Sequence, residues 1–372
     1  MKITDIETIL LRLPVVREIG DGCQTICVIR VHTDAGIVGI GEAHTNPMGA
    51  RAVIDSPLYS VSAQGLKHIL IGEDPRDVNR LWDKMYKHTQ TYGRRGLLMH
   101  ALSGIDLALW DILGKSVGQP VHRLLGGARR KSHYAYASDL SQPTLEATID
   151  LALRHKENGF RAMKFGWGAL GKDRKSDIAV AARLRQALGP DFDIMIDMGF
   201  AVPLDHAIHL GRAYAEHDLF FLEEPLSPDD VAGFAKLVAA SPTPIATGEK
   251  ASHEYDYLDL MDRGQLRIVQ PDIARMGGIS STMRVIAHAE ARNVRVIPHC
   301  WSTDILVAAT LHCISTMQDC PYLEYNVTDN PLRTDLLVEP IRPVRGVVAV
   351  PEKPGLGIEL REDTLKRFRW DP

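Results

Sequence analysis

From residue 164 onward, seven ionisable side chains close short apolar runs: Lys164, Asp197, Glu223, Glu249, Asp272, His299 and Glu324. The steps between them are 33, 26, 26, 23, 27 and 25 residues. Most of these match one strand-plus-helix unit, which predicts groups at or just beyond the C-terminal ends of consecutive parallel strands, the face where barrel enzymes keep their active sites. Asp197, Glu223 and Glu249 on adjacent strands would repel one another if gathered without a counter-ion. A divalent cation removes that repulsion, and an all-oxygen donor set selects Mg²⁺ over zinc, with Mn²⁺ as the alternative. Single acids at strand ends ordinarily cap helices or pair at the surface; three at nearly equal spacing argue for a shared ion.

Asp272 and His299 come from the next two strand ends and are expected to be neighbours. A carboxylate that accepts from one imidazole nitrogen fixes the tautomer and raises the basicity of the other, which makes a general base. Lys164 faces inward if its strand alternates normally; it is either a second proton-transfer group or the ion-pair partner of a metal-site acid. Cys300 points away from the side that His299 faces and is set aside as a nucleophile, while Trp301 walls the pocket. Trp167, in a glycine-rich loop, is a further candidate wall, and His44 a candidate donor to a distal substrate hydroxyl. His206 and His209 belong to a helix and read as packing or surface residues.

Positioning these groups requires a large scaffold. The 372 residues suit one (β/α)₈ barrel of about 250 residues with a unit added. A formal net charge of −4 with 24 % charged and 45 % hydrophobic residues gives no basic nucleic-acid surface and no acidic tail, so the expected partner is a small molecule. The five cysteines form no CxxC pair, which indicates neither a disulfide frame nor a zinc knuckle. The opening MKITDIETILLRLP alternates apolar and polar residues instead of giving a basic end and an apolar run, and no uninterrupted apolar stretch reaches transmembrane length. A cytoplasmic protein without membrane or nucleic-acid partners is the expectation.

Residues 1–125 predict an α+β unit: three strands, the second and third joined at Asp34-Ala35-Gly36 as a hairpin, then helices. The Gly39-x-Gly41 pair lies in the hairpin's second strand with no βαβ unit after it, so it is not a dinucleotide fingerprint. In LLMHALSGIDLALWDILGK, Leu97, Ala101, Ile105, Ala108 and Ile112 predict a helix with one long apolar face. From 126 to 330, eight short apolar runs alternate with amphipathic helices, predicting a modified (β/α)₈-type TIM barrel that carries the metal and catalytic site. Residues 331–372, with GVVAV and GIEL as short strands, are expected to pack back on the first unit.

These residues together resemble the enolase superfamily, and within it the mandelate racemase subgroup. The resemblance spans nearly the whole chain and rests on ALSGIDLALWDILGK, on FLEEP beginning two residues before Glu223, on Gly248-Glu249, on QPDIARMGG around Asp272, and on IPH ending at His299. It implies an α+β capping domain over a modified barrel, one Mg²⁺ per subunit on Asp197, Glu223 and Glu249, a His299–Asp272 dyad, and removal of the proton α to a carboxylate. It also implies that Glu324 helps to polarise the substrate carboxylate and that the chain is a homo-oligomer, dimer to octamer.

Two positions depart from the family pattern. Lys-x-Lys at the second barrel strand is Lys164-Phe165-Gly166 here, and Asp-x-Asn after the third is Asp197-Met198-Gly199. Racemisation needs a base on each face of the carbon, and with Gly166 only His299 is clearly equipped. Dehydration needs less: one histidine takes the α-proton and returns it to the β-hydroxyl on the same face. The chain therefore reads as an acid-sugar (aldonate or aldarate) dehydratase yielding a 2-keto-3-deoxy acid. The alternatives are a racemase, epimerase or cycloisomerase of a sugar acid or lactone, and a non-catalytic regulatory protein on the same scaffold. Specificity is expected from the capping loops Arg17–Gln24 and Ala43–Arg51.

Overall fold

The computed structural model describes residues 1–20, 22–168, 170–199 and 202–371. Strands β1 (Ile3–Arg12), β2 (Thr25–Thr33) and β3 (Val38–Ala43) form an antiparallel sheet in sequence order. The β2–β3 hairpin turns at Gly36, whose φ of 75° suits glycine. The helix Leu97–Val117 crosses this sheet. A Cβ on Gly39 would lie 2.1 Å from the Ala108 carbonyl oxygen, and one on Gly41 would lie 1.9 Å from that of Gly104. The glycine pair thus exists to let the helix backbone meet the sheet.

This helix is apolar nearly all round and not on one face. Ala101, Ile105, Ala108 and Ile112 are fully buried, as are Leu102, Leu107 and Leu109 on other sides, whereas Leu97 at its start is exposed. It is long and apolar enough to cross a membrane, and 78 % of its apolar window is buried inside the fold. One side meets the capping sheet; the other meets the barrel helix Gly278–Glu290, where Asp106 accepts from the backbone and hydroxyl of Ser280.

Strands β4 (Ser132–Leu140), β5 (Ala162–Gly166), β6 (Asp193–Asp197), β7 (Phe221–Glu223), β8 (Ile245–Thr247), β9 (Ile268–Val269), β10 (Arg295–Val296) and β11 (Leu323–Asn326) are the eight runs anticipated. They pair in parallel in the order β10-β9-β8-β7-β6-β5-β4-β11. No ladder joins β10 to β11 among the described residues; that seam is bridged by the Cys300 N–H donating to Glu324 Oε2 at 2.6 Å. Helices between the strands carry side-chain N-caps at Thr144, Asp173, Asp230 and Thr303, each of a type that ordinarily contributes about 1 kcal/mol.

Inside the barrel, Tyr136, Ala162, Met195, Phe221, Ala246, Ile268 and Ile297 form one apolar layer, a residue from each of the first seven strand units in turn. Side chains alternate along a strand, so the next inward position is two residues on. That step gives Ser138, Lys164, Asp197, Glu223, Gly248, Gln270 and His299: the polar layer sits directly on the apolar one.

The tail 331–372 touches both units. Strand β12 (Val347–Ala349) pairs antiparallel with β4 of the barrel, while the Trp370 N–H donates to Leu10 in β1 and the Arg12 guanidinium lies 5.0 Å from the Trp370 ring. GVVAV is therefore a strand, but it extends the barrel and not the capping unit. GIEL contributes a single bridge, Leu360 to Leu337.

Candidate active site

At the C-terminal mouth of the barrel lies a cavity of about 370 Å³. The capping unit contributes Ile19, Gly20, Gly22 and His44; the barrel contributes Ser138, Asp139, Leu140, Lys164, Gly166, Trp167, Asp197, Glu249, Lys250, Arg275, His299 and Trp301. A larger groove of about 830 Å³ beside the helix Glu254–Asp262 shares Lys250 but holds none of the His–Asp chemistry.

The three acids expected to hold a metal come together in the order of their strands. Asp197 closes β6 directly opposite Glu223 on β7, with Gly166 of β5 on its other side. Asp197 and Glu249 face the cavity, whereas Glu223 is wholly buried behind Lys164 and Gln270. Its Oε1 accepts from Lys164 Nζ at 2.6 Å and its Oε2 from Gln270 Nε2 at 2.6 Å. Burial, together with Asp197, Glu324 and Glu249, pushes the Glu223 carboxyl up to about 8; burial and Glu249 also raise Asp197. Neighbouring Glu224, paired with Lys250, is pushed up to about 7, chiefly by burial. The cluster holds more acid than Lys164, Lys250 and Arg275 neutralise, so its carboxylates repel one another. Its exposed donors are oxygens. That is the charge deficit and the donor chemistry a Mg²⁺ ion fits.

Lys164 is clamped. Its ammonium lies 2.6 Å from Glu223 and 2.8 Å from Glu324, and although burial works against its charge, these carboxylates hold it well above the usual lysine range. A proton-accepting role is closed to it; the ion-pair reading of Lys164 is the one the geometry supports. Glu324 is fixed by Ser138 Oγ at 2.7 Å as well as by the Cys300 N–H. It lies below the cavity floor.

His299 and Asp272 meet as expected: Asp272 Oδ2 stands 2.8 Å from His299 Nδ1. That leaves Nε2 toward the cavity, 3.1 Å from Glu249 Oε2. Burial disfavours the imidazolium, but Glu249, Glu324 and the Asp272 bond outweigh it and raise His299 to about 9. Glu249 is correspondingly held at about 2, against its burial, by His299, Arg275 and Lys250.

His44 departs from its expected role. Its Nδ1 lies 2.7 Å from Asp272 Oδ2 and its Nε2 lies 3.1 Å from Arg275 Nη2, so both ring nitrogens already have protein partners. A substrate hydroxyl finds no open nitrogen there. His44, Asp272 and His299 bring three ligand-type atoms within 4.8 Å of one another. Hydrogen bonds rather than a cation account for that closeness, because the Arg275 guanidinium stands 3.5 Å from the same Asp272 oxygen.

Trp167 and Trp301 both line the cavity. Trp167 takes a left-handed backbone, φ 67°, uncommon for a bulky residue. Its ring is so close to the Gly20 and Gly199 backbones that a Cβ on either would lie 2.8 Å from Cδ2. Gly166 is equally constrained: a Cβ there would lie 2.9 Å from Asp197 Cβ and 3.0 Å from Oδ2. Around Lys164 the wall is Asp139, Leu140, Gly166 and Trp167; position 166 offers no side chain, and Asp139 Oδ2 is already paired with His155 Nε2 at 2.9 Å. Cys300 is buried toward Thr310, and His206 and His209 lie on the helix Leu204–Ala215, away from the site.

Ser138, Gln270, Lys250 and Arg275 were not anticipated. For Ser138 and Gln270 a signal existed: each lies two residues beyond a member of the apolar barrel layer. Lys250 and Arg275 sit in loops beyond the strands, where period-two counting no longer applies.

Models of two known domains match the chain: the mandelate racemase / muconate lactonizing enzyme N-terminal domain over residues 9–126, and the enolase C-terminal domain-like model over 147–364. D-galactarolactone cycloisomerase of Agrobacterium fabrum is 35 % identical over 93 % of this chain and 92 % of its own. Arabinonate dehydratase of Saccharolobus solfataricus is 30 % identical over 92 % and 90 %. Among solved structures, the 3,6-anhydro-D-galactonate cycloisomerase of Zobellia galactanivorans superposes with a TM-score of 0.90 at 32 % identity, covering all of both chains. A racemase from Streptomyces coelicolor with bound magnesium gives 0.88 at 27 %, covering 99 % of this chain and 100 % of its own.

Proposed function

That this chain belongs to the mandelate racemase / muconate lactonizing enzyme family, the enolase superfamily, is the premise from which we propose that it is an acid-sugar dehydratase. The reaction removes the proton α to a carboxylate and expels the β-hydroxyl. One observation carries the reading: position 166 has no side chain, and the cavity's ionisable groups other than the His299–Asp272 dyad and the metal-site acids are tied up in ion pairs of their own. His299 Nε2 faces the cavity with Nδ1 tied to Asp272, while Lys164 is engaged by Glu223 and Glu324, Asp139 by His155 and Lys250 by Glu224, so no unpaired second base is offered for inversion.

His299 is neutral once the Glu249 carboxylate that favours its imidazolium is offset by a Mg²⁺ ion, and its Nε2 then takes the α-proton as the C–H bond breaks. The β carbon–oxygen bond then breaks, and the same nitrogen returns the proton to the departing oxygen, which leaves as water. The enol that remains becomes the 2-keto-3-deoxy acid. Lys164, held charged between Glu223 and Glu324, orients the substrate carboxylate. Asp197, Glu223 and Glu249 would hold Mg²⁺, whose positive charge offsets the negative charge that gathers on the carboxylate as its α-proton leaves. Trp167 and Trp301 exclude water from the rest of the cavity.

A second reading uses the same atoms. Where the β-oxygen is part of a ring, the same elimination opens the ring and loses nothing, so the net change is an isomerisation. The 35 % identical relative and the Zobellia structure, both named cycloisomerases, favour testing it beside the first. Proton NMR in D₂O with Mg²⁺ against D-galactonate, L-rhamnonate, arabinonate and D-galactarolactone decides. A 2-keto-3-deoxy product from an open-chain acid supports the dehydratase; turnover of the lactone alone supports ring opening. Exchange of the α-proton with every C–O bond retained would overturn both.

A further inference from the structure

Asp272 is shared. Its Oδ1 accepts from the Ala274 N–H at 2.9 Å, and its Oδ2 has two imidazole partners, His299 Nδ1 at 2.8 Å and His44 Nδ1 at 2.7 Å. The two rings stand nearly parallel, 12° apart, with centroids 5.7 Å from each other. His44 comes from the capping unit, immediately after β3, and all the other participants come from the barrel. It is buried and is stitched to the barrel by its backbone also: its N–H donates to the Ala274 carbonyl and its carbonyl accepts from Arg275 Nε, both at 3.3 Å.

Arg275 decides the chemistry of that ring. A guanidinium only donates. With Arg275 Nη2 at 3.1 Å, His44 Nε2 must be the acceptor, which places the imidazole hydrogen on Nδ1 and directs it at Asp272. A doubly protonated ring would set an N–H against the guanidinium. Burial and Arg275 both press His44 toward the neutral form, in keeping with this geometry.

We propose that His44 is a positioning residue for proton transfer: a neutral imidazole, locked by Arg275 as the Nδ1–H tautomer, that donates to Asp272 and thereby fixes the carboxylate that orients His299. The base is then assembled across two units, and the capping unit contributes to the chemistry as well as to the specificity loops. The role of His44 rests on His299 being the base, but the tautomer does not, so the two can fail separately.

The test begins on the wild-type protein without substrate. Long-range proton–nitrogen correlation on protein labelled with ¹⁵N-histidine, with His44 assigned by its loss in His44→Asn, should show Nδ1 protonated and Nε2 bare. The downfield Nδ1–H signal of His299 is the second readout. It should move in His44→Leu, where Asp272 loses a donor, and stay near its wild-type place in His44→Asn, whose amide still donates. On the D-galactonate and D-galactarolactone assays above, His44→Leu should lower kcat on the order of 10- to 100-fold with KM little changed, and His44→Asn should recover most of that loss. An Nε2–H tautomer, a His299 signal indifferent to both variants, or a rise in KM alone would overturn the proposal. Loss of both Nδ1 hydrogens on adding divalent metal would overturn it in favour of a metal site on this trio. If neither compound turns over while the tautomer and the His299 shift hold, the proposed reaction has failed and the positioning geometry stands.

Discussion

Replacing Glu42 by glutamine should remove much of the loss of stability that the protein suffers between pH 5 and pH 8. Glu42 lies on β3, wholly buried, and accepts from the hydroxyls of Ser302 and Thr303 at the start of the helix Asp304–Ile314, so it ties the capping unit to the barrel three residues past His299. Burial is the largest influence on its carboxyl and outweighs the two hydroxyl bonds, pushing it from the ordinary 4.5 up to about 7. A carboxyl whose value is raised on folding holds its proton in the native state when the unfolded chain has released it. Its contribution is therefore complete below about pH 4.5 and lost as pH rises through 7. At 1.36 kcal/mol per unit the whole effect is about 3 kcal/mol, of which about 2.5 falls between pH 5 and 8. Glutamine is neutral at both values and can donate to one hydroxyl while accepting from the other. Urea unfolding followed by tryptophan fluorescence at pH 5 and pH 8, for wild type and Glu42→Gln, should show the wild type losing about 2.5 kcal/mol more than the variant. Equal losses in the two proteins would mean that Glu42 is ionised throughout, and the reasoning from burial would be refuted.

Three further outcomes follow from the site. His299→Asn should lower turnover by about 10²- to 10⁴-fold while leaving Mg²⁺ affinity by calorimetry within about threefold; turnover above a tenth of wild type would remove His299 as the base. Asp197→Asn should weaken Mg²⁺ binding by more than about 100-fold with little change in the far-ultraviolet circular dichroism, and retained affinity would exclude Asp197 from the ligand set. Gly166→Ala places a Cβ 2.9 Å from Asp197 Cβ, so the ligand must retreat by about half an ångström; Mg²⁺ affinity should fall about tenfold, and unchanged affinity would show that β5 yields instead.

The barrel and its polar layer were legible in the sequence because both follow from periods. Strand-plus-helix units impose a step near 26, and inward side chains recur every two residues, so Asp197, Glu223 and His299 had to fall on one ring of the barrel. Gln270 and Ser138 obey the same period but are not ionisable, so a pattern of charged residues at strand ends does not mark them. His44 was legible as a site residue but not in its role: which partners its two nitrogens meet depends on docking the hairpin of one unit against a loop 228 residues away. The long apolar helix was legible as a helix, yet its burial on all sides was not, since the pattern records apolar positions and not how many neighbours will cover them. Strand β12 reads as a strand in any setting; its pairing with β4 is a tertiary fact.

The two departures from the family pattern share a physical setting. Position 199, where the family carries asparagine, cannot hold a side chain while the Trp167 ring occupies its present place, 2.8 Å from where a Cβ would be. Gly199 also has a φ of 66°, which glycine adopts freely. Position 166, where the family carries its second lysine, is pressed against Asp197 and immediately precedes the tryptophan whose left-handed backbone turns the indole over the cavity. The indole in turn rests against Gly20 of the capping loop. Restoring the lysine alone would therefore not restore a two-base site, because its side chain would enter against Asp197 and displace the wall that Trp167 forms. The absence of a side chain at position 166 and the aromatic wall of Trp167 thus belong to one packing arrangement, in which Gly20, Gly166, Trp167, Asp197 and Gly199 constrain one another.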